Sequence, residues 1–322
     1  GGWGMAKPVE ADVVLSCNEH LPTVDVWLVI DVLRATTVIV RWFELGGREL
    51  YPTDTPDAAR RLAHDLEQEG RNPLLMGEEN AITPQGFDLG NSPLDLTKEL
   101  AAARACAVMA TTNGTKALLR AAETGVPVFA ACIRNASSAL GCALSRGSRI
   151  GLLCSGRKGR PSWDDTLCAG LLLSLLQRRH PGLRLADSAR LALLTWQSSR
   201  NDLQASLAGA DHAVFLDRVG YRADIAFACI PDAVEAVPEL HEVPHGDGMR
   251  AVLRRVPPDA MGPRLGTALP LPEPAPVGPP RTERAQTAQN RFASLLQYAK
   301  SDADHLFLGG NRHKKSGRAR LR

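Results

Sequence analysis

The stretch Val24–Val40, VDVWLVIDVLRATTVIV, decides the reading of this chain. Val26–Ile30 is an unbroken apolar run without alternation, the pattern of a strand covered on both faces in a largely parallel sheet. A charge, Asp31, enters where the run would otherwise continue through Val32 and Leu33, and Arg34 follows three residues later. A strand that ends on a carboxylate and turns into Ala-Thr-Thr at a helix start fits an α/β layer protein, in which ligands gather beyond the carboxyl ends of strands.

Outward from that stretch, short β-branched runs alternate with longer Ala/Leu-rich segments from Val13 to about His245. The strands expected are Val26–Asp31, Arg48–Thr53, Pro73–Glu78, Ala105–Thr111, Val126–Cys132, Arg149–Ser155 and Asp224–Ile230. Helices are expected between many of them. One opens with Thr55 and Pro56 as N-cap and first residue and stops at Gly70, and another opens with Ser162 and carries Asp165 three residues on, as in a capping box.

The domain boundaries follow from composition. Residues 11–245 form an α/β domain, a layered sheet flanked by helices. Residues 246–280 read as a Pro-rich linker, with nine prolines between Pro257 and Pro280, and residues 281–322 as a short helix plus a basic tail. On this reading, removing residues 246–322 leaves the folded body intact.

The 322 residues carry 38 Lys and Arg against 35 Asp and Glu, a net charge of +3. Residues 246–322 hold 14 basic and 6 acidic residues, leaving 24 basic against 29 acidic in the body. An acidic body argues against nucleic-acid binding there, since phosphate-backbone contacts need clustered Lys and Arg. Only the basic tail is a candidate for it. Seven dispersed cysteines without a CxxC pair indicate neither a disulfide framework nor a zinc knuckle, and a reducing, cytoplasmic setting is expected. The first fifteen residues lack the basic segment and apolar core of a secretory signal, and no apolar run approaches the roughly 20 residues of a membrane span.

Four polar clusters follow strand ends: DVLRATT from Asp31, GEENAITPQGFDLGNSP from Gly77, TTNGT from Thr111 and CSGRKGRPSWDD from Cys154. Each mixes carboxylates, Asn or hydroxyls with Gly or Arg, which suits a hard cation beside an oxyanion. Asp31 is a Mg²⁺ ligand or a general base, and Glu78 a second carboxylate of the same kind. Asp164 is a further metal ligand and Asp165 a further catalytic acid. Arg34, Thr36, Asn91, Ser92, Asn113, Gly114, Thr115 and Arg157 are the candidate contacts of a small anionic substrate. The plainer readings are Asp31 with Arg34 as a structural pair and Thr as an N-cap, Asn113-Gly114 as a turn with a Thr cap, and Asp164 and Asp165 as acids favoured at a helix N-terminus by about 0.3–1 kcal/mol. Cys154 reads as packing rather than a nucleophile. His241–His245, HEVPH, matches the helical zinc-protease pattern, but Pro244 and Gly246 deny it a helix.

In this order, VIDVLRATTVIV, GEENAITPQGFDLGNSPLDL, TTNGTKAL and CSGRKGRPSWDDTLCAG resemble the 2-phosphosulfolactate phosphatase family, over roughly Val24 to Pro244. The resemblance implies a Mg²⁺-dependent phosphatase on an α/β fold, hydrolysing 2-phospho-3-sulfolactate to 3-sulfolactate and phosphate in coenzyme M synthesis. A second copy of the chain is a further candidate partner. The competing class is a non-catalytic anion- or RNA-binding regulatory protein on the same scaffold.

Overall fold

A strand buried on both faces needs helices above and below it, and the chain supplies them. The computed structural model describes residues 7–263 and 265. Its strands are β1 (Glu10–Val14), β2 (Val26–Ile30), β3 (Glu49–Thr53), β4 (Pro73–Gly77), β5 (Cys106–Ala110), β6 (Val128–Ala131), β7 (Arg149–Cys154), β8 (Arg184–Leu185), β9 (Pro238–His245) and β10 (Gly248–Arg255). The helices are α1 (Ala35–Glu44), α2 (Pro56–Gln68), α3 (Lys98–Ala103), α4 (Gly114–Ala122), α5 (Ala136–Leu144), α6 (Trp163–Arg179), α7 (Asp187–Ser199), α8 (Leu203–Ala208), α9 (Asp211–Arg218) and α10 (Arg222–Ala228).

The strands form one sheet in the order β4-β5-β3-β10-β9-β6-β2-β7-β1-β8. Two parallel blocks, β4-β5-β3 and β6-β2-β7-β1-β8, are joined by the antiparallel hairpin β9–β10. The seam between β6 and β9 is thin, with Phe129 opposite Glu239 as its register pair. Buried Asn135 reinforces it: its Nδ2 donates to the carbonyls of Ala130 and Ala236, and its Oδ1 accepts the N–H of Cys132. Arg146 adds an ion pair to Glu239 at 2.8 Å.

The sheet curls. In a flat sheet, five steps of about 4.8 Å would put β5 about 24 Å from β2. Yet Gly114, just beyond β5, lies against Asp31, just beyond β2, and Trp27, Val29, Leu50, Met76 and Met109 share one apolar core with α1 and α4. Accumulated strand twist of about 20–25° per step makes such wrapping natural. The other face of the β6-β2-β7-β1 block is covered by α5, α6 and α7 with the α8–α10 cap, and α2 covers β3, β4 and β5. Helix α6 is apolar almost all round because it is buried almost all round. Gly170 lets it approach α7: a Cβ there would lie 2.1 Å from the Ala192 carbonyl oxygen.

Six of the seven expected strands are present within a residue or two, and Thr55 caps α2 by accepting the Ala58 N–H. Three expectations are corrected. Asp224–Ile230 lies largely in α10 rather than a strand; Asp224, Ile225 and Ala228 face inward at helical spacing, and a seven-residue apolar run is compatible with either period. Asp165 does not close a capping box on Ser162, whose side chain makes no cap bond. The stretch from Gly246 is not linker at its start, because β10 sits inside the sheet between β9 and β3. The remaining linker and tail expectations fall almost wholly outside the described residues. HEVPH lies in β9, so its histidines take strand rather than helix geometry. Among the described residues no helix is long and apolar enough to cross a membrane.

The position of β10 makes a prediction that reverses the composition-based one. A chain ending at His245 removes a strand from within the sheet, and it is expected to lose cooperative thermal unfolding. A chain ending at Leu265 keeps every described strand and the buried Leu265, and is expected to keep that transition. Equal melting curves for the two truncations would contradict the role given to the hairpin.

Candidate functional site

The site is built where β2 and β7 end side by side. Asp165, in the first turn of α6, ties the two strand ends together: its Oδ1 accepts the N–H of Val32 at 2.9 Å, and its Oδ2 accepts the Ser155 hydroxyl at 3.0 Å and the Gly156 N–H at 3.1 Å. The Ser155 N–H in turn donates to the Ile30 carbonyl. On the α1 side, Asp31 is knotted to Thr36 twice, with the Asp31 N–H donating to Thr36 Oγ1 and the Thr36 N–H to the Asp31 carbonyl, each at 2.9 Å. Thr37 Oγ1 donates to the Val32 carbonyl at 2.6 Å.

These bonds hold three carboxyl groups in a dry place. Asp31, Asp164 and Asp165 are all buried. Burial raises the pKa of Asp31 well above the carboxylate range, and the charges of Asp165, Asp164 and Glu78 raise it further. Burial and then Asp165 do the same to Asp164. Asp165 is raised less, to about 6, because burial is opposed by the Val32, Ser155 and Gly156 donors. Gly114 matters here. A Cβ on it would lie 2.5 Å from Asp31 Oδ2 and 2.4 Å from Ala35 Cβ, so only glycine lets the first turn of α4 lie against this carboxylate.

Glu78 leaves β4 and is fixed by the turn beyond β5: Oε1 accepts the Thr112 N–H at 2.7 Å, and Oε2 accepts the Thr112 hydroxyl at 2.9 Å and the Ala81 N–H at 2.6 Å. Asn80 and Ala81 take left-handed backbone, φ 50° and 64°, within that turn. Asn113 precedes α4 as its N-cap but makes no side-chain cap bond.

Arg34 is 4% exposed, and its Nη1 meets Asp224 Oδ2 at 2.9 Å. Its guanidinium carbon lies 4.4 Å from the centre of the Tyr221 ring. Asp224 Oδ1 accepts the Ser92 hydroxyl at 2.7 Å. Asp224 therefore joins α10 to α1 and to the GNSP turn, two of the regions carrying candidate residues. The sequence reading missed its part because it placed residue 224 in a strand; a lone acid within an apolar run was the available signal. Arg157 opens a tight turn closed by Arg157–Arg160 backbone bonds in both directions, with Lys158 and Gly159 left-handed at φ 53° and 72°.

The expected residues thus divide. Asp31, Asp164, Asp165, Glu78 and Gly114 come together. Arg34 and Ser92 meet through Asp224. Thr36 and Thr115, offered as substrate contacts, are fully buried and spend their hydroxyls on backbone, Thr36 on the Asp31 N–H and Thr115 on the Thr111 N–H at 3.1 Å. Asn91 is buried with its Oδ1 unpartnered. Cys154 is buried and its thiol pushed well up by burial and then Asp165, which leaves it packing. A separate surface cavity of about 630 Å³ opens where β3 and β5 begin, lined by Arg48, Arg71 and Arg254, but Arg71 and Arg254 already pair with Glu49.

The carboxylates suit a hard divalent cation in charge and donor type. Among the described residues, however, no three carboxyl, imidazole or thiol groups converge tightly enough to enclose an ion by themselves. That fits Mg²⁺ better than Ca²⁺, because Mg²⁺ is commonly held by one or two carboxylates and completed by water and phosphate oxygens. Asp165 and Glu78 each accept three N–H or O–H donors, and an ion bound here would be held at Asp31 and Asp164.

The sequence model of the 2-phosphosulpholactate phosphatase family matches residues 14–243. A probable 2-phosphosulfolactate phosphatase of Deinococcus radiodurans is 37% identical over 238 residues, 74% of this chain and 95% of that protein. One from Thermus thermophilus is 37% identical over 228 residues, covering 69% and 91%, and one from Pseudothermotoga lettingae is 33% identical over 234 residues, covering 71% and 95%.

The buried Arg34–Asp224 pair makes a stability prediction. Asp224→Asn leaves a buried guanidinium short of its counter-charge, and removing one partner of such a pair costs about 3–5 kcal/mol. Urea unfolding at pH 7 measures it; a loss under about 1 kcal/mol would mean that water, not Asp224, satisfies Arg34.

Proposed function

The chain belongs to the 2-phosphosulfolactate phosphatase family and is a phosphoric monoester hydrolase, and from that premise we propose that it hydrolyses 2-phospho-3-sulfolactate to 3-sulfolactate and phosphate with Mg²⁺ held at Asp31 and Asp164. The observation that carries the reading is the crowd of buried carboxyl groups around Asp31, whose pKa is raised by burial and then by Asp165, Asp164 and Glu78, with Gly114 lying against its Oδ2. Like charges are not gathered out of water without something to neutralise them.

Bound there, Mg²⁺ would supply charge for the transferred phosphoryl oxygens and for the leaving alkoxide. The chain's own groups do the rest. Asp31 is held by Thr36 and faces the start of α4, and it is the carboxylate placed against the reacting phosphate. Asp165 holds structure rather than doing chemistry: by accepting from Val32, Ser155 and Gly156 it keeps the loops after β2 and β7 in register. Glu78 positions the Thr111–Thr115 turn through Thr112, and its charge acts on Asp31. Asn113 and Arg157 are the side chains offered to anionic oxygens. We also read the enzyme as cytoplasmic, in keeping with seven free cysteines, six of them buried.

Phosphate release from 2-phospho-3-sulfolactate is expected with Mg²⁺ and not after EDTA. Asp31→Asn is expected to lower kcat by at least about 10³-fold, the scale of losing a principal electrostatic group, while keeping the wild-type melting curve. A folded Asp31→Asn enzyme of wild-type activity would remove Asp31 from the mechanism.

A further inference from the structure

Beside the carboxylates lies a basic cluster that the mechanism above leaves partly unused. His212, in the first turn of α9, stacks on Phe215 with ring centroids 6.0 Å apart and planes 16° from parallel. The Arg157 guanidinium lies 5.8 Å from the same Phe215 ring. His212 Nδ1 is buried without a hydrogen-bond partner, and so is Arg34 Nε. Burial and then the charges of Arg157 and Arg34 lower the His212 pKa to about 4, so the imidazole is neutral at physiological pH. Arg34 spends one nitrogen on Asp224, whereas Arg157 has no carboxylate partner among the described residues.

This cluster adjoins the reacting centre through covalent neighbours. Arg34 follows Asp31 by three residues, and Arg157 follows Gly156, whose N–H is bonded to Asp165. Arg157 and His212, from distant parts of the chain, thus lie against the same Phe215 ring, and His212 Nδ1 and Arg34 Nε are buried and unspent. Desolvated donors without partners are costly unless something arrives to take them. A phosphate monoester of a hydroxy acid brings further acid groups besides the phosphate, and those groups need donors away from the metal-binding carboxylates.

Resting on the phosphatase reading, we infer that His212 is a specificity-determining residue: with Arg157 and Arg34 it receives the carboxylate or sulfonate of the substrate, donating a hydrogen bond from its unpartnered Nδ1. A neutral donor suits the position, since it adds no third positive charge beside two arginines. The subsite recognises what surrounds the phosphate and takes no part in breaking the phosphorus–oxygen bond.

The test replaces the ring nitrogens and keeps the ring. His212→Phe preserves the stack on Phe215, and His212→Asn restores a donor close to the Nδ1 position. Each is assayed on 2-phospho-3-sulfolactate and on phenyl phosphate, which has no second acid group, and binding of 3-sulfolactate is measured by calorimetry. Losing a hydrogen bond to a charged group is worth about 10- to 100-fold. His212→Phe is therefore expected to raise KM for 2-phospho-3-sulfolactate and Kd for 3-sulfolactate by that factor, with phenyl phosphate turnover within about twofold of wild type. His212→Asn is expected to recover much of the loss. Equal losses on both substrates, or unchanged 3-sulfolactate binding in His212→Phe, would overturn the inference. If the wild type hydrolyses neither ester but loses 3-sulfolactate binding on substitution, the hydrolase reading of this substrate fails and the subsite stands.

Discussion

Everything at this site depends on keeping several carboxyl groups close together away from water. In bulk solvent such a crowd would cost little, but out of water an ionised acid loses its hydration and feels its neighbours through a weaker dielectric. The protein meets this in two ways. Asp165 is surrounded by three donors and is the least perturbed of the three aspartates. Asp31 and Asp164 are driven further toward the protonated form. The folded chain thus carries an electrostatic demand that a divalent cation bound there would answer by displacing protons.

The fold serves that demand from a distance. The hairpin β9–β10 joins two parallel blocks, and the curl of the combined sheet brings the turn after β5 against the end of β2. Without the curl, Gly114 and Glu78 would stand tens of ångströms from Asp31 and no common site would exist. The same geometry explains why α1 and α4 are packed inside the wrapped sheet while the longest helix, α6, covers the outer face and delivers Asp164 and Asp165 from its first turn.

Much of this was legible in the sequence, for definite physical reasons. The run Val26–Ile30 announced a strand buried on both faces, and the charge at its end marks where buried carboxyl groups gather. Thr55 and Pro56 announced the start of α2, and that start is where they placed it. Harder to read were features fixed by tertiary pairing. Strand β9 starts at Pro238, contains Pro244 and carries Glu239 and Glu242, so nothing local distinguishes it from a loop until β10 lies beside it. The run containing Asp224 is short enough to satisfy either period, and packing of α10 against the site decides it. Thr36 and Thr115 have the chemistry of substrate contacts, and only the bond partners show that their hydroxyls belong to the backbone. His212 gives no sequence signal: Phe215 lies on its own helix, but Arg157, against the same ring, comes from a loop more than fifty residues away.

Under the proposed Mg²⁺ chemistry, the free protein holds a proton among Asp31, Asp164 and Asp165 that a bound cation would expel. Calorimetric titration with Mg²⁺ at pH 7, repeated in buffers of different ionisation enthalpy, measures that proton directly. Binding accompanied by release of about one proton is predicted, because binding of a cation to carboxylates requires their deprotonation. Binding with no proton release, or no binding of Mg²⁺ at all, would show that these aspartates do not share a proton that the metal displaces.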